Sequence, residues 1–389
     1  MKVDISVIIP IYKGIQYIPY WIDKIRNNIF HLKTLELECE LILVNDFPEE
    51  LFTAKDFADV EFNLEVLNSG KNQGIHGARV YGLEHAKGKW IVFLDQDDWI
   101  TDDYLAQQRL RIGEADAVVC NGYSKLFCKD ISNYIYVDDE QKHVTDFSYY
   151  ISVGNPIYSP GQVMLRKSAI PCLWRQNRLK ENGADDYLLW MLMLKEGKKF
   201  VLNEEKIYTH VDHGGNASND MLSMADSICQ VGEILTENNL LDKAEKEMIA
   251  NREAASMPSF RYRDIITTYD YWLYLESRNY GISKFLRERG YFKIGIYGMG
   301  LIGSRLYAVL ADSGIETTFA IDQRAKKIVC SIPVLCLEDV QVDDYMKQVN
   351  VIIVTAQSAF VEIKREFEER KYEVLVLSFK SILLEMIDQ

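Results

Sequence analysis

The 389-residue chain lacks the features that define several protein classes. Its longest uninterrupted apolar run, residues 187–194, is far shorter than the roughly 18 to 20 residues that a membrane-spanning helix needs. Hydrophobic residues make up 48% of the chain and charged residues 26%, which excludes a disordered or collagen-like protein. Lysine and arginine (44) are outnumbered by aspartate and glutamate (58), and a net charge of −14 disfavours binding to nucleic acid.

The seven cysteines are odd in number, and none is spaced as C-x2-C. The sequence therefore predicts neither a disulfide framework nor a zinc site, but reduced and mostly buried thiols. Asp4 lies at the start of the first apolar run, which does not fit a signal peptide. We expect a cytoplasmic protein without a transmembrane segment, which touches the inner face of the cell membrane only peripherally.

Apolar runs alternate with helical patterns in the first part of the chain. Strands are predicted at residues 5–10, 41–44, 64–67, 90–94 and 117–120, and helices at 15–29, 78–86, 101–111 and 185–196. Such alternation indicates an α/β fold, in which ligands bind beyond the carboxyl ends of the strands. Residues 219–290 are predicted to be a helical connector, and residues 291–389 a small Rossmann-like α/β domain.

The C-terminal domain carries a glycine motif. Gly298, Gly300 and Gly303 lie between a predicted strand and a predicted helix, and Asp322 follows at the end of the next strand. This pattern is typical of dinucleotide binding, because the glycines admit a pyrophosphate and the acidic residue takes a ribose hydroxyl. No hydride-transfer residues follow. A vestigial, regulatory or assembly module is therefore favoured over an NAD(P)-dependent oxidoreductase.

An acidic loop, Asp95-Gln96-Asp97-Asp98, follows the strand predicted at residues 90–94. In an extended backbone alternate residues project to the same side, so we expect Asp95 and Asp97 to converge. Two carboxylates suit Mg²⁺ or Mn²⁺, which keep coordination positions for the phosphates of a nucleotide. In the alternative interpretation, Asp98 or Thr101 merely caps the following helix.

Several motifs occur together in the order found in one family. They are the first strand with Tyr12, the Asn45-Asp46 turn, Asn72-x-Gly74 with Ala78-Arg79, Gly88-x-Trp90, and the acidic loop. Over about the first 218 residues the sequence resembles the family 2 glycosyltransferases of GT-A fold. The resemblance implies inverting transfer of a sugar from a nucleotide-sugar, usually a UDP-sugar, with Mn²⁺ or Mg²⁺.

The resemblance also implies roles for individual donor-binding residues. Pro10 and Tyr12 would border the base, Asp46 would accept a hydrogen bond from uracil, and Arg79 would lie near the base or the diphosphate. The family's Asp-Asp-Gly-Ser is replaced here by Asn45-Asp46-Phe47-Pro48, which leaves the identity of the base open. The alternative for Asp46 is a simple turn before a proline.

In the acidic loop, the resemblance directs Asp95 toward the ribose and the metal and places Asp97 on the metal, with Asp98 in support. His213 best matches the family's terminal histidine, which would ligate the metal or contact the diphosphate. A structural or surface role is the alternative for this histidine.

The catalytic base is implied by residues 183–190, which resemble the family's Glu-Asp-Tyr motif. Asp186 matches the base, and Asp185 replaces the glutamate. One base suffices for sugar transfer, because a divalent cation stabilises the departing diphosphate and no protonating acid is needed. The alternative is that both aspartates only complement the positive end of the following helix.

The resemblance implies a saccharide, lipid-linked glycan or glycoprotein acceptor in bacterial surface glycan synthesis. Two further functions stay open on the sequence alone: an NAD-dependent oxidoreductase that uses the C-terminal glycine motif, and an inactive scaffold that binds sugar nucleotides. A homodimer formed through the C-terminal domain is also left open. The donor sugar and the linkage depend on variable loop residues and are not predicted.

Overall fold

The computed structural model describes residues 3–57, 60–126, 131–180, 182–212, 221–311 and 313–387. The chain divides into two compact units, Met1–Met257 and Pro258–Gln389. Among the six described cysteines, all free, only Cys39 and Cys120 are buried. The expectation of mostly buried thiols is wrong, because the other four lie on helices and loops near the surface rather than on inner strands.

The described part of the first unit contains one mixed sheet of nine strands. The strands are β1 (Ile5–Ile11), β2 (Cys39–Asn45), β3 (Asn63–Asn68), β4 (Trp90–Phe93), β5 (Trp99–Ile100), β6 (Ala117–Leu126), β7 (Ile131–Tyr134), β8 (Val163–Arg166) and β9 (Phe200–Asp212). Their order is β3-β2-β1-β4-β8-β6-β9-β5, and β7 pairs with β6. β1 to β4 are parallel, whereas β8 runs antiparallel to its neighbours β4 and β6.

Helices cover both faces of this sheet. They are α1 (Ile18–Lys33), α2 (Gly74–His85), α3 (Tyr104–Ile112), α4 (Phe147–Ser152), α5 (Cys172–Gln176), α6 (Asp185–Lys195) and α7 (Met221–Glu237). Alternate residues of β1 pack into two separate apolar clusters, with Val7 on the face that holds Trp21 of α1 and Ile8 on the face that holds α2 and α6. Burial on both faces explains why β1 and β2 are continuous apolar runs.

The topology brings the ends of several strands to one edge of the sheet. Because β1, β2 and β4 are parallel, the residues that follow them share this edge, and α2 begins there after β3. Four of the five predicted strands, at residues 5–10, 41–44, 64–67 and 90–94, are confirmed with ends shifted by at most two residues, and the fifth, predicted at 117–120, continues to Leu126 as β6. The long strand β9 and the short strands β5 and β7 were not predicted.

The second unit contains a small parallel sheet. Its strands are β10 (Lys293–Tyr297), β11 (Glu316–Ile321), β12 (Val334–Leu335), β13 (Val351–Val354) and β14 (Leu375–Ser378), in the order β12-β11-β10-β13-β14. Its helices are α9 (Ile282–Glu288), α10 (Leu301–Leu310), α11 (Val342–Met346), α12 (Phe360–Glu369) and α13 (Phe379–Ile387). The first strand lies at the centre and the order reverses beside it, as in the Rossmann fold.

The segment predicted as a connector is divided between the two units. Within the first unit, Val231 and Leu235 of α7 join an apolar cluster with α6. The helix α8 (Lys243–Ser277) contributes Ile249 to that cluster and Trp272 to the core of the second unit. In the described ranges, no helix is both long enough and apolar enough to cross a membrane.

Candidate active site

The acidic loop, residues 95–98, is a turn between β4 and β5. The Asp98 N–H donates to the Asp95 carbonyl at 3.3 Å. The expected extended backbone is therefore wrong here, because the chain reverses direction to enter β5. Burial, together with the nearby charges of Asp98 and Asp95, raises the pKa of Asp97 to about 7. The carboxylates of Asp95, Asp97 and Asp98 therefore lie close together, with fewer positively charged side chains than carboxylates around them.

Asp98 anchors the acidic loop to β9. Its side chain is fully buried and accepts hydrogen bonds from the Tyr208 hydroxyl, from Ser159 Oγ at 3.3 Å and from the Val211 N–H at 3.2 Å. The helix-capping alternative is wrong, because α3 begins at Tyr104 and neither Asp98 nor Thr101 caps it. Asp98 therefore supports the loop and has no oxygen directed at a helix end.

A histidine on β9 contributes positive charge to this cluster. His210 Nδ1 lies 3.2 Å from Asp98 Oδ1. Burial opposes its charged form, but the neighbouring carboxylates, Asp98 above all, raise the pKa of His210 to about 9. The sequence analysis preferred His213, which lies outside the described residues. No local pattern indicated His210, because β9 reaches the acidic loop through pairing with β5 and β6, which are distant in sequence.

Arg79 joins the acidic loop to the start of α6. Its Nη1 donates to both carboxylate oxygens of Asp185, at 2.9 and 2.8 Å, and its Nη2 donates to Asp95. The two carboxylates keep this buried guanidinium charged and raise the pKa of Arg79, although burial acts in the opposite direction. Arg79 thus fixes two of the predicted site residues relative to each other.

We expect Arg79→Met to lower the free energy of unfolding of the first unit by about 3–5 kcal/mol, because buried carboxylates lose their counter-charge. Urea unfolding of the full chain measures this change. Arg26→Met is the matched control, since Arg26 forms an exposed pair with Asp23 on α1, worth at most about 0.5 kcal/mol. Equal effects of the two substitutions would contradict the bridging role of Arg79.

Asp186 lies beside Asp185 in the first turn of α6 and is buried. Its Oδ2 accepts a hydrogen bond from Asn155 Nδ2 at 3.1 Å. Burial and the adjacent Asp185 raise the pKa of Asp186 to about 7, and Arg79 opposes this rise. A carboxyl group with this pKa is suited to exchange a proton near neutral pH.

The residues predicted to bind the base follow β1 and β2. Tyr12 is 44% exposed, and its ring contacts that of Phe47 edge to face, with centroids 5.4 Å apart. Pro10 lies within β1 and is buried. Asp46 is buried, and its Oδ1 accepts from the Gln73 N–H at 2.8 Å; burial raises the pKa of Asp46. One Asp46 oxygen therefore holds the start of α2.

The donor set of the acidic loop suits a magnesium or manganese ion that is shared with a substrate. Among the described residues, no group of three or more potential ligands is arranged as a complete metal site. Mg²⁺ in such enzymes is bound by one or two carboxylates plus substrate phosphates, so a complete protein shell is not required. Asp97 and Asp95 provide such a pair, although Asp95 also pairs with Arg79.

In the second unit the three glycines of the motif differ in backbone conformation and in the space around them. Gly298 has φ +95°, which favours glycine, and a Cβ on Gly303 would lie 1.9 Å from the Gly298 carbonyl oxygen. A Cβ on Gly300 would meet nothing within 4 Å. Asp322 is buried and accepts hydrogen bonds from the Met299 N–H and the Arg324 N–H, both at 2.8 Å. The motif thus forms a tight strand-to-helix turn with open space beside Gly300.

Sequence reasoning missed several residues that shape the first site. They are Gln96, Asn155, Ser159, Tyr208 and His210. Most lie on loops or strands brought to the site by long-range pairing, so the local pattern did not indicate them. Two of them lay within recognised motifs: Gln96 was treated as a spacer in the acidic loop, and His210 begins the segment in which His213 was preferred.

Comparisons with known proteins support the family resemblance. Residues 6–174 match the family model described as "Glycosyl transferase family 2". The "Minor teichoic acid biosynthesis protein GgaB" of Bacillus subtilis is 37% identical over 101 residues, which cover 25% of this chain and 11% of GgaB. An "Uncharacterized glycosyltransferase" of Haemophilus influenzae is 25% identical over 242 residues, which cover 62% of this chain and 84% of that protein.

Among solved structures, residues 1–349 of S. aureus TarS are similar with a TM-score of 0.46 and 18% identity, over 73% of this chain and 85% of that one. Three curated relatives, GgaB included, are matched over only a third of their length or less. The family match covers β1 to β8 together with the acidic loop. Residues 6–174, which lie in the first unit, are therefore similar to the family 2 glycosyltransferases.

Proposed function

We propose that this protein is an inverting, metal-dependent glycosyltransferase that moves a sugar from a nucleotide-sugar, with UDP as the nucleotide, to an acceptor hydroxyl. The observation that carries the proposal is the pairing of the acidic loop with Asp186 through Arg79 and Asp185. This arrangement links carboxylates suited to a cation with a buried carboxyl group suited to accept a proton.

In the proposed reaction Asp186 accepts the proton of the acceptor hydroxyl as that oxygen attacks the anomeric carbon from the side opposite the diphosphate. The Asn155 amide orients the Asp186 carboxylate, and Asp185 is held away from the acceptor by Arg79. Asp185 is thus a positioning residue.

Donor binding is assigned to residues around the strand ends. Tyr12 and Pro10 would border the base and Asp46 would contact it, whereas Asp95 and Asp97 would hold the cation, with His213 in a supporting role. When bound, a divalent cation neutralises the charge that develops on the departing diphosphate. The carboxylates of the acidic loop carry more negative charge than His210 and Arg79 balance, which favours a cation there.

The proposed acceptor is a saccharide, lipid-linked glycan or glycoprotein of a bacterial surface. The name of GgaB, a teichoic acid biosynthesis protein, supports a surface polymer as the context. Membrane contact would be peripheral.

A panel of nucleotide-sugars tests the proposed activity. We expect the full chain to hydrolyse one UDP-sugar slowly in the presence of Mn²⁺, because water replaces the acceptor, and to show no turnover in EDTA. A coupled assay that detects the released UDP measures this turnover. UDP binding without any hydrolysis or transfer across a broad acceptor panel would instead indicate an inactive scaffold.

For the second unit we propose a nucleotide-binding or assembly module. The open space beside Gly300 and the buried Asp322 support a nucleotide with a free ribose hydroxyl. Isothermal titration of the full chain with NAD separates these two roles: saturable binding that is lost in Gly300→Val, which fills that space, would support the nucleotide role over the assembly role. Absence of binding would exclude the nucleotide role, and NAD reduction with a sugar substrate would indicate an oxidoreductase.

A further inference from the structure

Gln96, the second residue of the acidic loop, forms two hydrogen bonds with the backbone of Tyr12. The Tyr12 N–H donates to Gln96 Oε1 at 3.0 Å, and Gln96 Nε2 donates to the Tyr12 carbonyl at 3.1 Å. The side-chain amide therefore hydrogen-bonds to both the N–H and the carbonyl of Tyr12, as the backbone of a neighbouring β-strand would. Both polar atoms of the amide take part in this pairing.

The surroundings of Gln96 fit this pairing closely. A Cβ on Gly14 would lie 2.1 Å from Gln96 Oε1, so a larger residue at position 14 would displace the amide. The main chain is also fixed, since the Gln96 carbonyl accepts from Nε1 of the buried Trp21 at 2.7 Å. The loop is thus attached both to α1 and to the segment that follows β1.

We propose that Gln96 is a positioning residue that sets the spacing between two halves of the donor site. One half is the loop after β1, which carries Tyr12 at the base, and the other is the acidic loop at the diphosphate. A nucleoside diphosphate spans both halves, and binding to pre-positioned loops avoids the free-energy cost of ordering them. This inference rests on the proposed function, because it assumes that the ligand is a nucleoside diphosphate.

UDP and uridine differ in how much of the donor site they contact. Uridine contacts mainly the half that carries Tyr12 and reaches the acidic loop only through the ribose beside Asp95, whereas UDP also places its diphosphate at the acidic loop. Loss of the two amide hydrogen bonds should weaken UDP binding about tenfold, given the usual contribution of such bonds. Uridine binding should change by less than about twofold, since most of its contacts do not depend on the spacing between the two halves. A role confined to the stability of the fold would not separate the two ligands.

Isothermal titration of the full chain with UDP and with uridine, both with Mn²⁺, tests this distinction in Gln96→Ala. Gln16→Ala is the matched control, because it truncates an exposed glutamine near Gly14. We expect the control to bind both ligands as the wild type does. Thermal unfolding midpoints establish that each variant is folded.

Gly14→Ala provides a second test that leaves Gln96 in place. Gly14 has φ −129°, which alanine adopts without strain, so the substitution acts mainly by displacing the Gln96 amide. We expect Gly14→Ala alone to weaken UDP binding about tenfold, and to add less than about twofold in the Gln96→Ala background. Such non-additivity would show that both substitutions remove the same contact.

Three results would overturn the inference: UDP affinity unchanged in Gln96→Ala, equal losses for UDP and uridine, or additive effects of the two substitutions. Failure of the proposed function has a different signature, because the wild-type chain would then not bind UDP. A wild type that binds UDP, combined with an unaffected Gln96→Ala variant, would reject only the role of Gln96.

Discussion

Asp186→Asn is expected to reduce sugar transfer by about 10²–10⁴-fold, the range that a general base contributes. Asparagine has nearly the same shape as aspartate and can keep a contact with Asn155, but it cannot accept a proton from the acceptor. UDP binding should remain within about threefold of the wild type, because the donor half of the site is unchanged. Steady-state transfer rates and UDP titration measure the two quantities.

The pH dependence of the wild type provides the companion measurement. Burial raises the pKa of Asp186 to about 7, so the carboxyl group is protonated below this pH and cannot act as a base. We expect kcat/KM to fall about tenfold per pH unit below pH 7. Substantial transfer activity in Asp186→Asn, or a wild-type rate independent of pH between 5 and 7, would reject Asp186 as the base.

Asp97→Ala is expected to abolish Mn²⁺-dependent turnover. Asp97 is the member of the acidic loop most available to a cation, because Asp98 is occupied by β9 residues and Asp95 is paired with Arg79. Its pKa, raised to about 7 by burial and by the carboxylates beside it, indicates a charge that a cation would stabilise. Turnover measured against Mn²⁺ concentration gives the metal dependence directly.

The control for this substitution is Asp102→Ala. Asp102 lies five residues further along the chain and forms an exposed pair with Lys24 on α1, outside the acidic loop. We expect this variant to retain the wild-type Mn²⁺ dependence. Retained Mn²⁺-dependent turnover in Asp97→Ala would show that the cation is held elsewhere.

Inner parallel strands such as β1, β2, β4 and β13 could be predicted from the sequence because they are buried on both faces. Runs rich in β-branched residues, such as β1 and β13, indicate strands of this kind. β9 was missed, because its burial is irregular and polar residues interrupt it. Its place in the sheet depends on pairing with β6, which is distant in sequence.

The candidate site was predictable only where local motifs encode it. The acidic loop and the Asp185-Asp186 pair were found from adjacent residues, and the structure links them through Arg79. The sequence associated Arg79 with the donor, whereas the ion pairs that it forms connect residues about 16 and 106 positions away. Charges, burial and shifted pKa values at such a site arise from tertiary contacts that no local pattern contains.

The conformation of the acidic loop likewise depends on tertiary contacts that its local sequence does not contain. Its composition indicated paired carboxylates. The expectation that Asp95 and Asp97 project to the same side assumed an extended backbone, whereas the chain turns at these residues to enter β5. Asp98 does not cap α3, as one interpretation of the sequence expected, and it anchors the loop to β9 through Tyr208 and Val211. The sequence therefore indicated which residue types form the loop, but not which residues they contact in the fold.

Calorimetric titration of the full chain with UDP, once with Mn²⁺ and once with EDTA, tests the central claim that a nucleoside diphosphate and a divalent cation bind together at the acidic loop. We expect UDP to bind at least about tenfold more tightly with Mn²⁺, since the cation joins the loop carboxylates to the diphosphate. Equal UDP affinity in Mn²⁺ and in EDTA, or no binding in either, would contradict the claim.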